Sequence, residues 1–196
     1  MNQKNMNQKN LFEVDWSKIP APSDDGAAAH LVGMTIPPVS LMATDDTAVT
    51  LSALPGRTVV FAYPRTGEPG KISLVDDWDM IPGARGCTPQ TCSFRDLFAE
   101  LKAAGAKHVF GLSTQSNVYQ TEMTSRLHLP FAVLSDAKLA LTRALDLPTM
   151  EVAGQTLIKR LALVIDNSRI THVFYPVFPP DRNAGDVLAW LKQNRV

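Results

Sequence analysis

The sequence contains few cysteines and few aromatic side chains, and it carries no net charge. Its 196 residues include two cysteines, three tryptophans and three tyrosines, and 19 Lys plus Arg balance 19 Asp plus Glu. This neutral balance, without a basic stripe or polybasic segment, argues against nucleic-acid binding and against attachment to a membrane surface. No apolar run approaches the roughly 20 residues of a membrane-spanning helix. We therefore expect an ordinary globular protein.

The beginning of the chain lacks the apolar stretch of a secretory signal. Its first ten residues, MNQKNMNQKN, repeat one pentapeptide and are excluded from the predicted fold. These features predict a cytoplasmic location. In a reducing compartment, two cysteines are more often catalytic or metal-binding than a permanent disulfide.

The rest of the chain predicts one domain. Residues 1–36 are polar or rich in small residues and predict a tail and a surface-wrapping segment, and residues 37–196 predict the folded domain. The apolar periodicities predict a hairpin at 39–51, strands at 58–63, 108–113 and 131–134, helices at 88–104, 116–128, 137–145 and 184–194, and an antiparallel pair at 160–177. This order is typical of an α/β fold, a thioredoxin-like three-layer sandwich, here with an N-terminal β-hairpin extension.

Both cysteines, Cys87 and Cys92, lie in the stretch GCTPQTCSFRD. If Thr88 capped the following helix, with Pro89 at its first position, the two Cα atoms would lie roughly 8 to 9 Å apart across an intact helix. A disulfide needs about 4.4 to 6.8 Å, so the pair makes a poor structural staple. A structural zinc site needs about four ligands, and the four histidines show no ligand spacing with the cysteines.

The same spacing suits a nucleophile and a second thiol that reacts with it later. The dipole and free N–H groups of a helix N-terminus favour the thiolate of Cys87, and Arg85 would add positive charge. Cys92 would meet Cys87 only after the first turns of the helix open.

The stretch resembles the active-site segment of peroxiredoxins of the bacterioferritin-comigratory, or Q, type, whose pattern is G-C-T-x-E-x-C-x-F-R-D. Every defined position matches except that Gln90 replaces Glu, and the resemblance extends over roughly residues 36–196. It implies that Cys87 is the peroxidatic cysteine, that Cys92 is the resolving cysteine, and that Arg160 is a second active-site arginine.

The resemblance also implies an activity and partners. The expected function is reduction of hydrogen peroxide and small organic hydroperoxides, with the Cys87–Cys92 disulfide recycled by a thioredoxin-like reductant. No metal or organic cofactor is expected, and the protein is expected to be a monomer or a weak homodimer. Two alternatives stay open. One is a thiol–disulfide exchange protein, although such proteins usually carry C-x-x-C, and the other is a catalytically degenerate redoxin-fold binding module.

One departure from the family pattern motivates the second alternative. Peroxiredoxins place a Thr or Ser three residues before the cysteine, and here that position is Ala84. The candidate proline, Pro64, lies 87 − 64 = 23 residues upstream instead of the family's seven, which predicts an insertion of about 16 residues within residues 65–86. Either Thr66 folds back to supply the hydroxyl, or Thr88 or backbone N–H groups polarise the peroxide instead. Trp78, within the insertion, is either a loop anchor or a wall of the substrate pocket.

Overall fold

The computed structural model describes residues 14–195. The repeated pentapeptide therefore lies outside the described residues, and the division of the chain at residue 36 stays a prediction. Within residues 14–195, no helix has the length and apolarity that crossing a membrane requires.

A seven-stranded mixed sheet forms the centre of the fold, in the order β2-β1-β5-β4-β3-β8-β9. Its two central strands, β3 and β4, run parallel, and β8 pairs antiparallel with β3. A separate hairpin consists of β6 and β7. The strands are β1 Ser40–Ala43, β2 Ala48–Thr50, β3 Arg57–Ala62, β4 His108–Ser113, β5 Val133–Ser135, β6 Thr149–Val152, β7 Gln155–Ile158, β8 Leu161–Asp166 and β9 Arg169–Phe174.

Helices cover both faces of the sheet. They are α1 Cys87–Asp96, α2 Phe98–Ala103, α3 Asn117–Leu127, α4 Ala140–Leu145 and α5 Asn183–Gln193. Alternate side chains of β3 belong to two hydrophobic cores on opposite faces of the sheet. Phe61 packs in the core formed with α1, α2, α3 and α5, and Val60 packs in the core formed with α4 and the N-terminal segment. The rings of Phe61 and Phe94 are stacked with centroids 4.0 Å apart, which fixes α1 against the sheet. The predicted thioredoxin-like, three-layer α/β sandwich is confirmed.

The structure differs from the predicted elements at one helix and at one hairpin. The helix predicted at 88–104 begins at Cys87 and is interrupted at Leu97, whose backbone (φ −100°, ψ 11°) separates α1 from α2. The β6–β7 hairpin was not predicted, because its turn has Ala153 and Gly154 at positive φ and only the glycine signals a turn. The predicted N-terminal hairpin is present as β1 and β2, and β1 also pairs with β5, so the hairpin extends the main sheet.

The N-terminal segment, residues 14–36, contributes to both the surface and the core. Leu31 and Ile36 are completely buried on the α4 side of the sheet. At the other end of the segment, the Trp16 indole Nε1 donates a hydrogen bond to Asp181 at 2.9 Å, and its ring packs edge-on against Phe178. The segment thus connects the back of the sheet to the chain just before α5.

Candidate active site

The peroxidatic candidate, Cys87, is the first residue of α1 and lies just beyond the carboxyl end of β3. Gly86 caps the helix in a left-handed conformation (φ 105°). A Cβ at Gly86 would lie 2.5 Å from Pro180 Cγ and 2.8 Å from Trp16 Cη2, so only glycine fits here. The cap that we considered at Thr88 is therefore wrong by two residues: the chain turns into the helix at Gly86, and half-buried Thr88 is its second residue. The thiol of Cys87 thus lies at a helix N-terminus, as predicted, but only 3% of the residue is exposed.

Arg160 contacts the sulfur directly. Its Nη2 donates to Cys87 Sγ at 3.3 Å. The same nitrogen also lies within hydrogen-bond distance of the carbonyl oxygens of Gly83 at 3.1 Å, Ala84 at 3.2 Å and Arg85 at 3.0 Å. Arg160 directly precedes β8, which is the neighbour of β3, and this register brings the guanidinium to the start of α1. The contact places a buried cation directly beside the Cys87 sulfur.

The loop before α1 also accepts from the thiol. Cys87 Sγ donates to the carbonyl oxygen of Ala84 at 3.4 Å. Ala84 stands where the family pattern has a hydroxyl residue, and its contribution here is a backbone carbonyl. The Cys87 sulfur thus donates to Ala84 and accepts from Arg160.

Gln90 lies one turn after Cys87 and holds the other end of the guanidinium. Arg160 Nη1 donates to Gln90 Oε1, and Gln90 Nε2 donates to Asn183 Oδ1 at 2.9 Å. All three side chains are at least 98% buried, since the most exposed of them, Arg160, is 2% exposed. The result is a chain of hydrogen bonds from the first residue of α5 to the sulfur of Cys87.

Thr66 is buried, but its hydrogen bonds lead away from Cys87. Its backbone N–H and its hydroxyl both donate to Gln115 Oε1, at 2.9 and 3.1 Å. Its carbonyl oxygen accepts from Gln115 Nε2 and from the Tyr119 hydroxyl, each at 3.1 Å. Within the described residues, the hydroxyls of Thr66 and Thr88 make no hydrogen bond to the sulfur, so the role predicted for either one stays a prediction.

Cys92 is placed on the same helix in a different environment. It belongs to the apolar core on this face of the sheet and is 5% exposed. Burial raises the pKa of the Cys92 thiol above its ordinary value of 9.0, although nearby Arg95 opposes the shift. Both cysteines are free thiols. Because α1 is intact between them, the estimate of roughly 8 to 9 Å between their Cα atoms applies.

Tyr63, at the carboxyl end of β3, is a completely buried neighbour of the site. Its hydroxyl donates to Gln120 Oε1 at 3.0 Å. Burial raises the pKa of Tyr63 well above its ordinary value, and negative charge on nearby Cys87 raises it further. Tyr63 therefore stays a neutral wall of the site.

The insertion, residues 65–86, covers the site from one side. The side chain of Arg85 pairs with Asp79, so its charge is not free to act on Cys87 as we had expected from the sequence alone. Half-buried Trp78 begins a short 3-10 helix, Trp78–Met80, and lines a small cavity of about 60 Å³ with Thr66 and Tyr119. The arrangement makes Trp78 part of the packing within the insertion.

A second cavity of about 120 Å³ adjoins the other side of Arg160. Its wall includes Pro82 and Gly83 of the insertion, Met150 of β6, and Pro22 of the N-terminal segment. This cavity provides a space beside the guanidinium where a small molecule could approach the site.

Three contributors to the site were not identified from the sequence. Gln90 was noticed only as a substitution, yet its position three residues after Cys87 places both on one face of a helix, which was a usable signal. Asn183 and Gln115 gave no signal, because each reaches the site through a long-range contact. In the part of the chain that the structure describes, no group of three or more His, Cys, Asp or Glu side chains is arranged to hold a metal ion.

Comparisons with known proteins identify the family of the domain that carries the site. Residues 31–188 match the family model described as Redoxin. Peroxiredoxin Q, chloroplastic, from Oryza sativa subsp. japonica is 31% identical over 162 residues, which cover 82% of this chain and 66% of the rice protein. The chloroplastic peroxiredoxin Q of Sedum lineare is 30% identical over 162 residues, covering 82% of this chain and 77% of that protein.

A solved structure supports the same relationship. The crystal structure of peroxidoxin BcpB from Mycobacterium tuberculosis matches with a TM-score of 0.67 and 26% identity, covering 84% of this chain and 98% of that chain. The chain spans about two thirds of the length of the rice protein, so the match concerns the redoxin domain.

Proposed function

Since the chain belongs to the redoxin family, as a peroxiredoxin of the bacterioferritin-comigratory or Q type, we propose that it is a thiol peroxidase that uses Cys87 as its nucleophile. The observation that carries the proposal is the contact of 3.3 Å between Arg160 Nη2 and Cys87 Sγ at the start of α1. A cation and a helix N-terminus at one sulfur favour a thiolate and can stabilise an anionic leaving oxygen.

The first step oxidises Cys87. Its thiolate attacks one oxygen of hydrogen peroxide or of a small organic hydroperoxide, and the O–O bond breaks. The second oxygen leaves with the bonding electrons and takes up a proton, which yields water or an alcohol, and Cys87 becomes a sulfenic acid. Arg160 and the free N–H groups at the start of α1 stabilise the charge on the leaving oxygen.

The second step forms a disulfide. The Cys92 sulfur attacks the sulfenic sulfur of Cys87 and water leaves. The separation of the two cysteines along an intact α1 requires the first turns of the helix to open before the sulfurs can bond. A thioredoxin-like dithiol then reduces the disulfide and restores both thiols.

A hydroxyl group polarises the bound peroxide in this mechanism. Thr66 remains our proposal for it, and Thr88 is the alternative. Without substrate, the Thr66 hydroxyl donates its proton to Gln115, so it must turn toward the peroxide when substrate binds. The cytoplasmic location and the monomeric or weakly dimeric state also stay predictions.

A stopped-flow experiment tests the function. The reduced protein is mixed with hydrogen peroxide, and loss of thiols is followed without any added catalyst. A peroxidase loses thiols rapidly, whereas a thiol–disulfide exchange protein or a degenerate binding module does so only at the rate of a simple thiol. Thiol loss at that slow rate would refute the proposal.

A further inference from the structure

The guanidinium of Arg160 is buried among uncharged groups. Its five partners are three backbone carbonyls, the amide oxygen of Gln90 and the sulfur of Cys87. None of the ion pairs found among residues 14–195 includes Arg160. A buried cation is normally paired with an anion, because leaving its charge uncompensated away from water is costly.

The carboxylates near the site are bound to other groups. Three lie on the segments that surround Arg160 and the start of α1. Asp79 pairs with Arg85, Asp25 accepts from Lys159 and Tyr175, and Asp181 accepts from Trp16. Other titratable groups on the elements packed around Cys87 and Arg160 include Tyr63, which burial keeps neutral, exposed Arg182 and Asp186 at the start of α5, and Cys92 with its neighbours Arg95 and Asp96. The thiolate of Cys87 is therefore the anion in direct contact with Arg160.

Gln90 holds the guanidinium without neutralising it. An amide has one acceptor and one donor end, and both are used: Oε1 accepts from Arg160, and Nε2 donates to Asn183 at 2.9 Å. A glutamate at this position would accept from Arg160 equally well but would place a second anion in competition with the thiolate.

We propose that Gln90 is a positioning residue whose neutral amide, held by Asn183, fixes Arg160 against Cys87 while leaving the full charge of Arg160 to the Cys87 thiolate. This inference rests on the proposed role of Cys87 as the nucleophile. It implies that the thiolate, and with it peroxide reduction, persists into more acidic solution than it would with a carboxylate at either position.

Two charge-introducing variants and two neutral controls test the inference. Gln90→Glu places a carboxylate on Arg160, and Asn183→Asp places one a single hydrogen bond farther away. Asn183→Asp keeps the acceptor for Gln90, and an acidic residue suits the first turn of α5, so this variant is expected to fold. Gln90→Met and Asn183→Ala remove the corresponding hydrogen bonds without adding charge.

The readout is formation of the thiolate, followed by absorbance at 240 nm against pH. Each variant carries Cys92→Ser, and the signal of the matching Cys87→Ser protein is subtracted. We expect the midpoint to move upward by about one pH unit in Gln90→Glu, which is a tenfold loss of thiolate below the midpoint, and by less in Asn183→Asp. The neutral controls are expected to slow the reaction with peroxide while moving the midpoint by less than the charged variant at the same position.

Unchanged midpoints in both charged variants would overturn the inference, as would neutral controls that move the midpoint as far as the charged ones. The titration needs no peroxide. A chain whose Cys87 titrates as expected but does not react rapidly with peroxide would refute the proposed peroxidase function and leave the role of Gln90 intact.

Discussion

Cys87 and Cys92 occupy the same helix, five residues apart, and meet opposite chemical environments. Cys87 lies at the first residue of α1, where Arg160 donates to its sulfur and Ala84 accepts from it. Cys92 lies in the apolar core, and burial raises the pKa of its thiol. The comparison shows how one helix places one sulfur beside a cation at its N-terminus and holds the other among apolar side chains, a difference that matches the roles proposed for them.

Exchange of each sulfur for oxygen is expected to give the largest effect. Cys87→Ser should abolish peroxide consumption, because serine is not a comparable nucleophile. Cys92→Ser should reduce one equivalent of peroxide and stop at the sulfenic acid. Peroxide consumption and trapping with dimedone measure the two outcomes. If the two variants behaved the other way round, the assignment of nucleophile and resolving cysteine would be reversed.

Removal of the Thr66 hydroxyl is expected to give the next largest effect. Thr66→Val should lower the second-order rate with peroxide by roughly 10- to 1,000-fold, the range for losing one transition-state donor of about 1.4 to 4 kcal/mol. Valine has nearly the shape of threonine, so the fold should survive.

Thr88→Val is the matched control, since Thr88 is the second residue of α1 and is half-buried. An unchanged rate in Thr66→Val, together with a large loss in Thr88→Val, would assign the hydroxyl to the start of the helix.

The pH dependence of disulfide formation should show whether Cys92 reacts within the folded helix or only after α1 has opened. Its pKa is raised above 9.0 by burial, so in the folded helix its thiolate fraction, and the rate, would rise about tenfold per pH unit to beyond pH 9. If α1 opens first, Cys92 regains water and its ordinary pKa, and the rise should level off near pH 9. We expect the second profile, measured by following disulfide formation after rapid oxidation. A rise that continues beyond pH 9 would contradict opening before attack.

Loosening the contact between the N-terminal segment and α1 is expected to give the smallest effect. Trp16→Phe keeps a ring against Gly86 but loses the hydrogen bond to Asp181, which is worth about 1 kcal/mol. Amide hydrogen exchange of Gln90, whose N–H donates to the Gly86 carbonyl oxygen at 3.0 Å in the first turn of α1, should become about fivefold faster. Trp190→Phe is the control, because Trp190 stacks on His172 and lies below Arg57. Equal exchange in Trp16→Phe and the wild type would show that Trp16 does not stabilise the start of α1.

The sequence predicted the fold more completely than the site. Continuous β-branched runs identified β3 and β8, and helical spacing identified α1, because both signals are local. The α4 helix proved shorter than predicted because Leu139 precedes it in a left-handed conformation, which a leucine does not signal.

The predicted closeness of Arg160 to Cys87 came from the family resemblance, and the structure places the two in contact. Its link to Gln90 joins residues 70 positions apart, and no periodicity reports such a contact.

The wrapping of residues 83–85 around Arg160 has a consequence for folding. Their carbonyl oxygens accept hydrogen bonds from Arg160, which lies 75 to 77 residues later in the chain. Gln90 likewise donates to Asn183, 93 residues later. Contacts of such sequence separation form late, because long loops must close first. An incompletely folded chain therefore lacks the contact between Arg160 and Cys87, and the site is assembled only when β8 and α5 have docked.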